Sequence, residues 1–267
     1  MKKGVLSAAL AIAVFIMACG DAFEYSPNQI FDSDSQFDLN AKNLLRLDTL
    51  PTDDTITIAF VGDSQRFYDE LEAFIDTVNA LSSIDFILLA GDISDFGLLE
   101  EFELINEKLQ RLNKPYFGVA GNHDVVARGE EIFKRMYGPL DFSFVYDGVK
   151  FVVHNTNGKE FNTGKVPDIA WLKKELAKQD SVDYFVAVSH IPPFSNDFDK
   201  DLEGQYVTLF QETPSFLISL HAHIHEHTDG YPYNDGIRYL TSYSFDQKIF
   251  VLLKIIKGQV YKHTIAY

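Results

Sequence analysis

The sequence predicts an α/β fold in which two β-sheets form the core and helices lie outside them. Three observations predict it. Apolar runs of five or six residues recur along the chain (ITIAFV, FILLA, YFGVA, YFVAV, SFLISL). Segments of helical period separate the first of these runs, and hairpin signals enter later.

Residues 1–54 lie apart from that pattern. Lys2 and Lys3 precede an apolar stretch from Val5 to Ala18, the layout of a secretory signal. Its fourteen residues fall short of the roughly 20 that cross a bilayer. The only cysteine, Cys19, follows in Ile16-Met17-Ala18-Cys19-Gly20. This resembles a bacterial lipoprotein processing site, at which the cysteine is lipidated and becomes the N-terminus; an ordinary signal peptide with an incidental cysteine is the plainer alternative. The expected organisation is a signal peptide over 1–18, a lipid-anchored tether and lead-in over 19–54, and one folded domain over 55–267. The expected location is the bacterial cell envelope, periplasmic or surface-exposed, with membrane attachment through Cys19. The lead-in is polar and acidic (FDSDSQFD, LPTDD), although Asn43 to Leu50 can pack on the domain. With one cysteine, disulfides play no part in the fold.

From Thr55 onward strands alternate with amphipathic helices. Residues 69–81 place Leu71, Phe74, Ile75, Val78 and Leu81 on one face, and residues 98–112 do the same with Leu98, Phe102, Ile105, Leu109 and Leu112. FSFVYDGVKFVVHN reads as two strands joined by Asp147-Gly148, a strong hairpin signal. Residues 168–178 form a helix entered at Pro167-Asp168 and carrying Trp171, Leu172 and Leu176. The last third is β-rich, with IRYLTSY, KIFVLLKII and VYKHTIAY, the latter two separated by Lys257-Gly258. The order is βαβαβα followed by antiparallel strands.

At 267 residues with 46% hydrophobic and 14% aromatic content, the chain buries a sizeable core. A formal net charge of −16 argues against nucleic-acid polymers or anionic membrane surfaces as partners, since both would be repelled. It leaves room for a small phosphorylated substrate, because bound divalent cations reverse the field locally.

Each of the five apolar runs ends in residues suited to metal ligation: Gly62-Asp63-Ser64-Gln65, Gly91-Asp92-Ile93-Ser94-Asp95, Gly121-Asn122-His123-Asp124, Ser189-His190, and His221-Ala222-His223-Ile224-His225. In an open α/β sheet, ligands bind beyond the carboxyl ends of the strands. Five strand ends can therefore deliver Asp, Asn and His side chains to one cleft. Singly, each has a plainer reading. A Gly-Asp after a strand is usually a turn, Asp92 and Asp95 can cap the next helix, and His190 before Ile191-Pro192-Pro193 can be a loop-packing residue.

Together and in this order the motifs resemble those of the calcineurin-like metallophosphoesterases, over roughly residues 55–241. The resemblance implies a four-layer α/β/β/α sandwich of two mixed sheets flanked by helices, with two divalent metal ions (Mn, Fe or Zn). The first metal would take Asp63, Gln65, Asp92 and His225; the second would take Asp92, Asn122, His190 and His223. His123 would be the general acid, with the Asp95 carboxylate orienting it. The implied reaction is hydrolysis of phosphate mono- or diesters, with a hydroxide bridging the two ions as nucleophile. His221, His223, His225 and His227 alternate, which on a strand puts all four on one side; the family's register selects His223 and His225 and leaves His221 and His227 at the rim or just outside. Arg66 is a candidate phosphate clamp, Tyr68 and Pro193-Phe194 are candidate pocket walls, and His154 and His263 are expected to be structural.

Two positions depart from the family pattern. Gln65 stands where His is usual, and Ala222 replaces the glycine of Gly-His-x-His. An amide oxygen is a harder and weaker donor than imidazole, so the first site is expected to bind less tightly and to favour Mn or Fe. That departure also supports a different class of function, a non-catalytic scaffold or binding module on the same fold. An amidohydrolase is disfavoured because His-x-His follows one of the last strands here. A nucleotide-dependent oxidoreductase is disfavoured because no Gly-x-Gly-x-x-Gly loop is present.

Overall fold

The computed structural model describes residues 30–33, 35–161 and 165–267. The expected signal peptide and Cys19 lie outside the described residues. Among those described, no helix is long and apolar enough to cross a membrane.

The chain runs α1 (Leu39–Leu47), β1 (Thr55–Val61), α2 (Tyr68–Ala80), β2 (Phe86–Leu89), α3 (Leu99–Leu109), β3 (Tyr116–Gly118) and α4 (Gly129–Met136). It continues with β4 (Phe142–Tyr146), β5 (Val149–Val153), α5 (Ile169–Glu175), β6 (Tyr184–Val188), α6 (Lys200–Glu212) and β7 (Phe216–His221). It closes with β8 (Thr228–Gly230), β9 (Tyr239–Thr241), β10 (Ile249–Ile256) and β11 (Gln259–Ala266).

Two mixed sheets result, in the orders β11-β10-β1-β2-β3 and β4-β5-β6-β7-β9-β8. Successive residues of a strand face opposite ways, and β1 shows what that alternation does. Ile56, Ile58 and Phe60 turn toward the second sheet, where they join Phe86, Phe151, Val186 and Leu220 in one buried cluster. Ala59 and Val61 turn outward onto Leu71, Phe74 and Ile75 of α2 and Phe102 and Ile105 of α3. On the far side, Val152, Phe185 and Ala187 meet Leu172 of α5 and Leu202, Tyr206 and Phe210 of α6. Three apolar seams thus separate four layers, α/β/β/α, the architecture that the family resemblance implies.

Within this frame, β1, β2 and β3 are parallel, and so are β5, β6, β7 and β9. The antiparallel strands expected in the later part give way there to parallel pairing of β5, β6, β7 and β9, with β8 antiparallel to β9. The β4–β5 hairpin does form, with Asp147 and Gly148 at φ 47° and 74° in its turn. Of IRYLTSY only Tyr239–Thr241 is strand.

Three helices go beyond the sequence reading. Helix α6 contains a glycine and mixed polarity, but Leu202, Tyr206 and Phe210 recur every four residues and are buried, and Asp199 caps it by accepting from Asp201 N–H at 2.9 Å. Helix α4 buries Ile132, Phe133 and Met136. Helix α1 begins at Leu39, inside the stretch read as a lead-in, and completes the edge of β3. Asn40 donates to Gly118 O at 3.0 Å and accepts from Gly118 N–H at 2.9 Å, and Asn43 Oδ1 accepts from Tyr116 N–H at 3.2 Å. Two side-chain amides thereby take the place of a neighbouring strand.

Candidate metal centre

Parallel pairing sends the carboxyl ends of the central strands the same way, so their loops meet. Asp63 and Gln65 follow β1, Asp92 follows β2, Asn122 and His123 follow β3, His190 follows β6, and His223 and His225 follow β7. The loops are packed backbone to backbone. A Cβ on Gly121 would lie 2.1 Å from both the Asp92 nitrogen and Asp92 Oδ1, and one on Gly91 (φ 93°) would lie 2.4 Å from His190 Nδ1. Only glycine permits that approach. Asp63, Asp92, His223 and His225 themselves hold φ of 57°, 54°, 73° and 53°. Left-handed conformations of this kind are uncommon outside glycine and gather at functional sites.

Two sets of side chains converge and share Asp92. Ligand-type atoms of Asp92, His190 and His223 lie within 4.8 Å of one another, as do those of Asp63, Asp92 and His225. Asn122 joins the first of these sets, its Oδ1 being 3.2 Å from His190 Nε2 and 3.0 Å from His223 Nδ1.

The hydrogen bonds around the rings fix which nitrogen faces inward. His190 Nδ1 lies 2.7 Å from Ala90 O, which can only accept, so Nδ1 carries a proton and Nε2 is the nitrogen that faces Asp92 Oδ2, at 3.2 Å. His223 Nε2 lies 2.9 Å from Asp197 Oδ2, leaving Nδ1 to face Asn122. Asp63 is fully buried with neither carboxylate oxygen hydrogen-bonded, and the Gln65 side-chain oxygen is likewise buried without a partner. Buried polar atoms left unpaired are costly, and here several acceptors converge. A cation satisfies them all, so the donor set of two carboxylates, two amide oxygens and three imidazoles fits divalent metal ions.

The charges tell the same story. Burial lifts the Asp63 pKa to about 8. Burial would lower that of His190, but the Asp92 and Asp63 carboxylates outweigh it and hold it up at about 9. Burial opposes ionisation of Asp92 too, yet His190 and His123 bring its pKa down overall. Without metal, protons serve as the counter-charge that the carboxylates demand.

His123 sits beside this cluster. Its backbone N–H donates to Asp92 Oδ1 at 3.0 Å, and its Nδ1 donates to the main-chain carbonyl of Asp95 at 2.7 Å. The expectation that the Asp95 carboxylate orients the ring is therefore corrected: the orienting acceptor is the Asp95 backbone, and the carboxylate pairs with Arg66. The reason is positional, since the loop turns its peptide rather than its side chain toward the imidazole. Arg66 lies next to Gln65 and is spoken for by that ion pair.

The alternating histidines are also corrected. β7 ends at His221, and the positive φ of His223 and His225 takes them off any strand, so the four do not share a side. His221 is fully buried on the outer face of the sheet, near Ser189 Oγ and Ser219 Oγ at 3.0 and 2.8 Å. His227 donates to Thr241 O at 2.6 Å and stacks on Tyr243. His154 is buried against Tyr206 Oη at 2.8 Å, and burial lowers its pKa to about 4.

Two further residues shape the site. Asp124 accepts from Ser94 N–H at 2.7 Å, Ser94 Oγ at 3.0 Å and Gly121 N–H at 2.8 Å, tying the β2 and β3 loops together. Burial and Asp92 raise its pKa to about 6. It stands inside Gly-Asn-His-Asp, so a sequence signal existed. Asp197, the partner of His223, lies seven residues past His190 in an irregular loop, and no spacing rule points to it.

The model of the calcineurin-like phosphoesterase family matches residues 56–227. The chain belongs to that family. Among curated relatives, it is 25% identical over 119 residues to a probable glycerophosphodiester phosphodiesterase of Arcobacter nitrofigilis, covering 40% of this chain and 42% of that one. It is 24% identical over 178 residues to a 3',5'-cyclic-nucleotide phosphodiesterase of Nostoc sp., covering 62% of this chain and 67% of that one. The alignment thus spans less than half of the first relative's length. A solved structure of a dimetal phosphatase from Danio rerio shares the fold at a TM-score of 0.58 and 12% identity, over 79% of this chain and 99% of that one.

Ala222, the smaller departure from the family pattern, keeps a negative φ and packs its Cβ where a side chain on Gly62 would come within 2.5 Å. Gln65 is the larger one, because it changes the chemistry of a side chain in the cleft.

Proposed function

We propose that this protein hydrolyses small phosphate mono- or diesters at a pair of divalent metal ions. The observation that carries the reading is the shared Asp92 between two converging ligand sets, with the Asp63 oxygens buried and unpaired beside it. Asp63, Gln65, Asp92 and His225 would hold one ion, and Asp92, Asn122, His190 and His223 the other. When bound, such a pair supplies an activated water as nucleophile and a clamp on the phosphoryl oxygens.

The chain's own groups supply the rest. With Nδ1–H committed to Asp95 O, His123 keeps Nε2 free to hold a proton for the departing alkoxide or to steady charge on the phosphoryl group. Arg66 can trade its bond to Asp95 for a phosphate oxygen. The relatives named as phosphodiesterases support the same reaction class. Manganese or iron is favoured at the Gln65 side, where an amide oxygen replaces imidazole.

A reading as a non-catalytic module on this fold draws on Gln65 alone. Assay of the manganese-loaded protein on p-nitrophenyl phosphate and bis-p-nitrophenyl phosphate, with metal content measured in parallel, separates the two. Turnover with two ions per chain is expected; two ions bound with no turnover of any phosphoester would favour the module. We further infer a lipid anchor at Cys19 and a place in the bacterial cell envelope, from residues 1–19 of the sequence. Labelling with a palmitate analogue, lost in Cys19→Ser, tests it.

A further inference from the structure

Residues 94–98 form a loop held at nearly every peptide. Ser94 N–H donates to Asp124 Oδ1 at 2.7 Å, Phe96 and Leu98 N–H donate to Glu101 Oε2 at 2.8 and 3.2 Å, and Gly97 N–H donates to Ser94 Oγ at 3.2 Å. The Asp95 carbonyl in this loop holds His123. Yet the loop carries Phe96 at 61% exposure, the one exposed phenylalanine among the described residues, and it packs in none of the three apolar seams. Leaving a large apolar ring in water forfeits the gain from burying it. A loop pinned this firmly gives the ring no route to shelter.

Asp95, the residue next to Phe96 in the chain, pairs through its carboxylate with Arg66, whose side chain is 58% exposed. The residue that positions His123 is thus followed in the chain by a bare ring and paired with an exposed cation. A phosphate ester joins an anion to an organic group, and this pair offers a counterpart to each: the guanidinium for phosphate oxygens, the ring face for a flat partner.

We propose that Phe96 is a specificity-determining residue whose ring stacks on the organic part of the ester, and that this part is a planar ring rather than an alkyl chain. The proposal rests on the phosphoesterase reading and names the substrate class for it. A fixed aromatic platform contributes through stacking, and the expected selectivity is about tenfold.

The test uses adenosine 5'-monophosphate and glycerol 3-phosphate, both esters of a primary alcohol, so that leaving-group chemistry is matched while the first alone carries a planar ring; ribose 5-phosphate controls for the sugar. Metal-loaded wild type, Phe96→Ala, Phe96→Leu and Phe96→Trp are titrated by calorimetry with the non-hydrolysable methylene-phosphonate analogue of each, and the kcat/KM ratio for the esters themselves, and for their methyl diesters, is measured alongside. Wild type and Phe96→Trp are expected to prefer the ring-bearing ligand by about tenfold, and Phe96→Ala and Phe96→Leu to lose most of that preference. Equal affinities in wild type, or an undiminished preference in both Phe96→Ala and Phe96→Leu at wild-type melting temperature, overturns the proposal. If wild type binds the pair but turns over none of the esters, the phosphoesterase reading fails, and the calorimetric preference still decides the role of Phe96.

Discussion

On one side of Asp92, His190 and His223 have side chains 0% and 15% exposed, and each gives its outer ring nitrogen to a fixed acceptor, Ala90 O or Asp197. On the other side, the His225 side chain is 44% exposed, its Nε2 lies 3.5 Å from Asp63 Oδ1, and among the described residues no outer acceptor fixes its ring. There too Gln65 and Asp63 present oxygens with no partner. One half of the cleft is thus held in place by the protein's own hydrogen bonds, and the other is not. Outer partners that orient a metal-binding imidazole also raise its basicity. The His190–His223 side should accordingly bind its ion tightly and the Gln65–His225 side more loosely.

Removing what both sides share gives the largest effect. Asp92→Asn should reduce metal content from two ions per chain to fewer than one and lower phosphoester turnover about a thousandfold or more; retention of both ions by elemental analysis would overturn the bridging role. Next comes the outer acceptor on the organised side. Asp197→Ala should weaken that ion by roughly 10–100-fold in a metal titration while leaving the Gln65 side nearly unchanged. If both affinities drop together, the halves are not independent and the comparison fails.

The converse change should narrow the gap. Gln65→His, which restores an imidazole donor, is expected to tighten the weaker site about tenfold; identical metal-binding curves for variant and wild type would count against Gln65 as a ligand.

The smallest effect is on stability. Asp63, with its folded pKa near 8 against 3.8 unfolded, binds an extra proton in the native state between those values. His190, near 9 against 6.5, does the same over its own interval. Stability bound up with these protons is present at low pH and lost as pH rises, through about 8 for Asp63 and about 9 for His190. His154 and His221, whose pKa values burial lowers, work the opposite way below about pH 6.5 and are neutral in both states above it. The metal-free protein should therefore show a falling melting temperature from pH 7 to 9, and saturating manganese should flatten the trend because the cation replaces the protons. A metal-free profile that is flat or rises would refute this.

Much of the centre was legible in the chain because its parts are local. A short apolar strand running into a ligand-type residue is a local pattern: Asp63, Asp92 and Asn122 stand directly after a glycine and His190 after Ser189, whereas His223 and His225 were singled out from four alternating histidines by the resemblance to the family. The same locality made the helices over Tyr68–Ala80 and Leu99–Leu109 readable from their apolar faces. Asp197 was not readable, since its role exists only because His223 comes to rest beside it. Nor was the division of labour within Asp95, where peptide and carboxylate serve different partners.

Periodicity along the chain is enough to place the first strands and helices and their order, because burial alternation is a property of neighbours, and the resemblance of the motifs to the family supplied the candidate donors. Packing in three dimensions settled which nitrogen of His190 and of His223 faces inward, that His221 lies beneath the sheet rather than at the rim, and that Asn40 and Asn43 close the open edge of β3. Those outcomes depend on hydrogen-bond partners tens of residues away, and a donor's partner is settled by where the packed strands bring it.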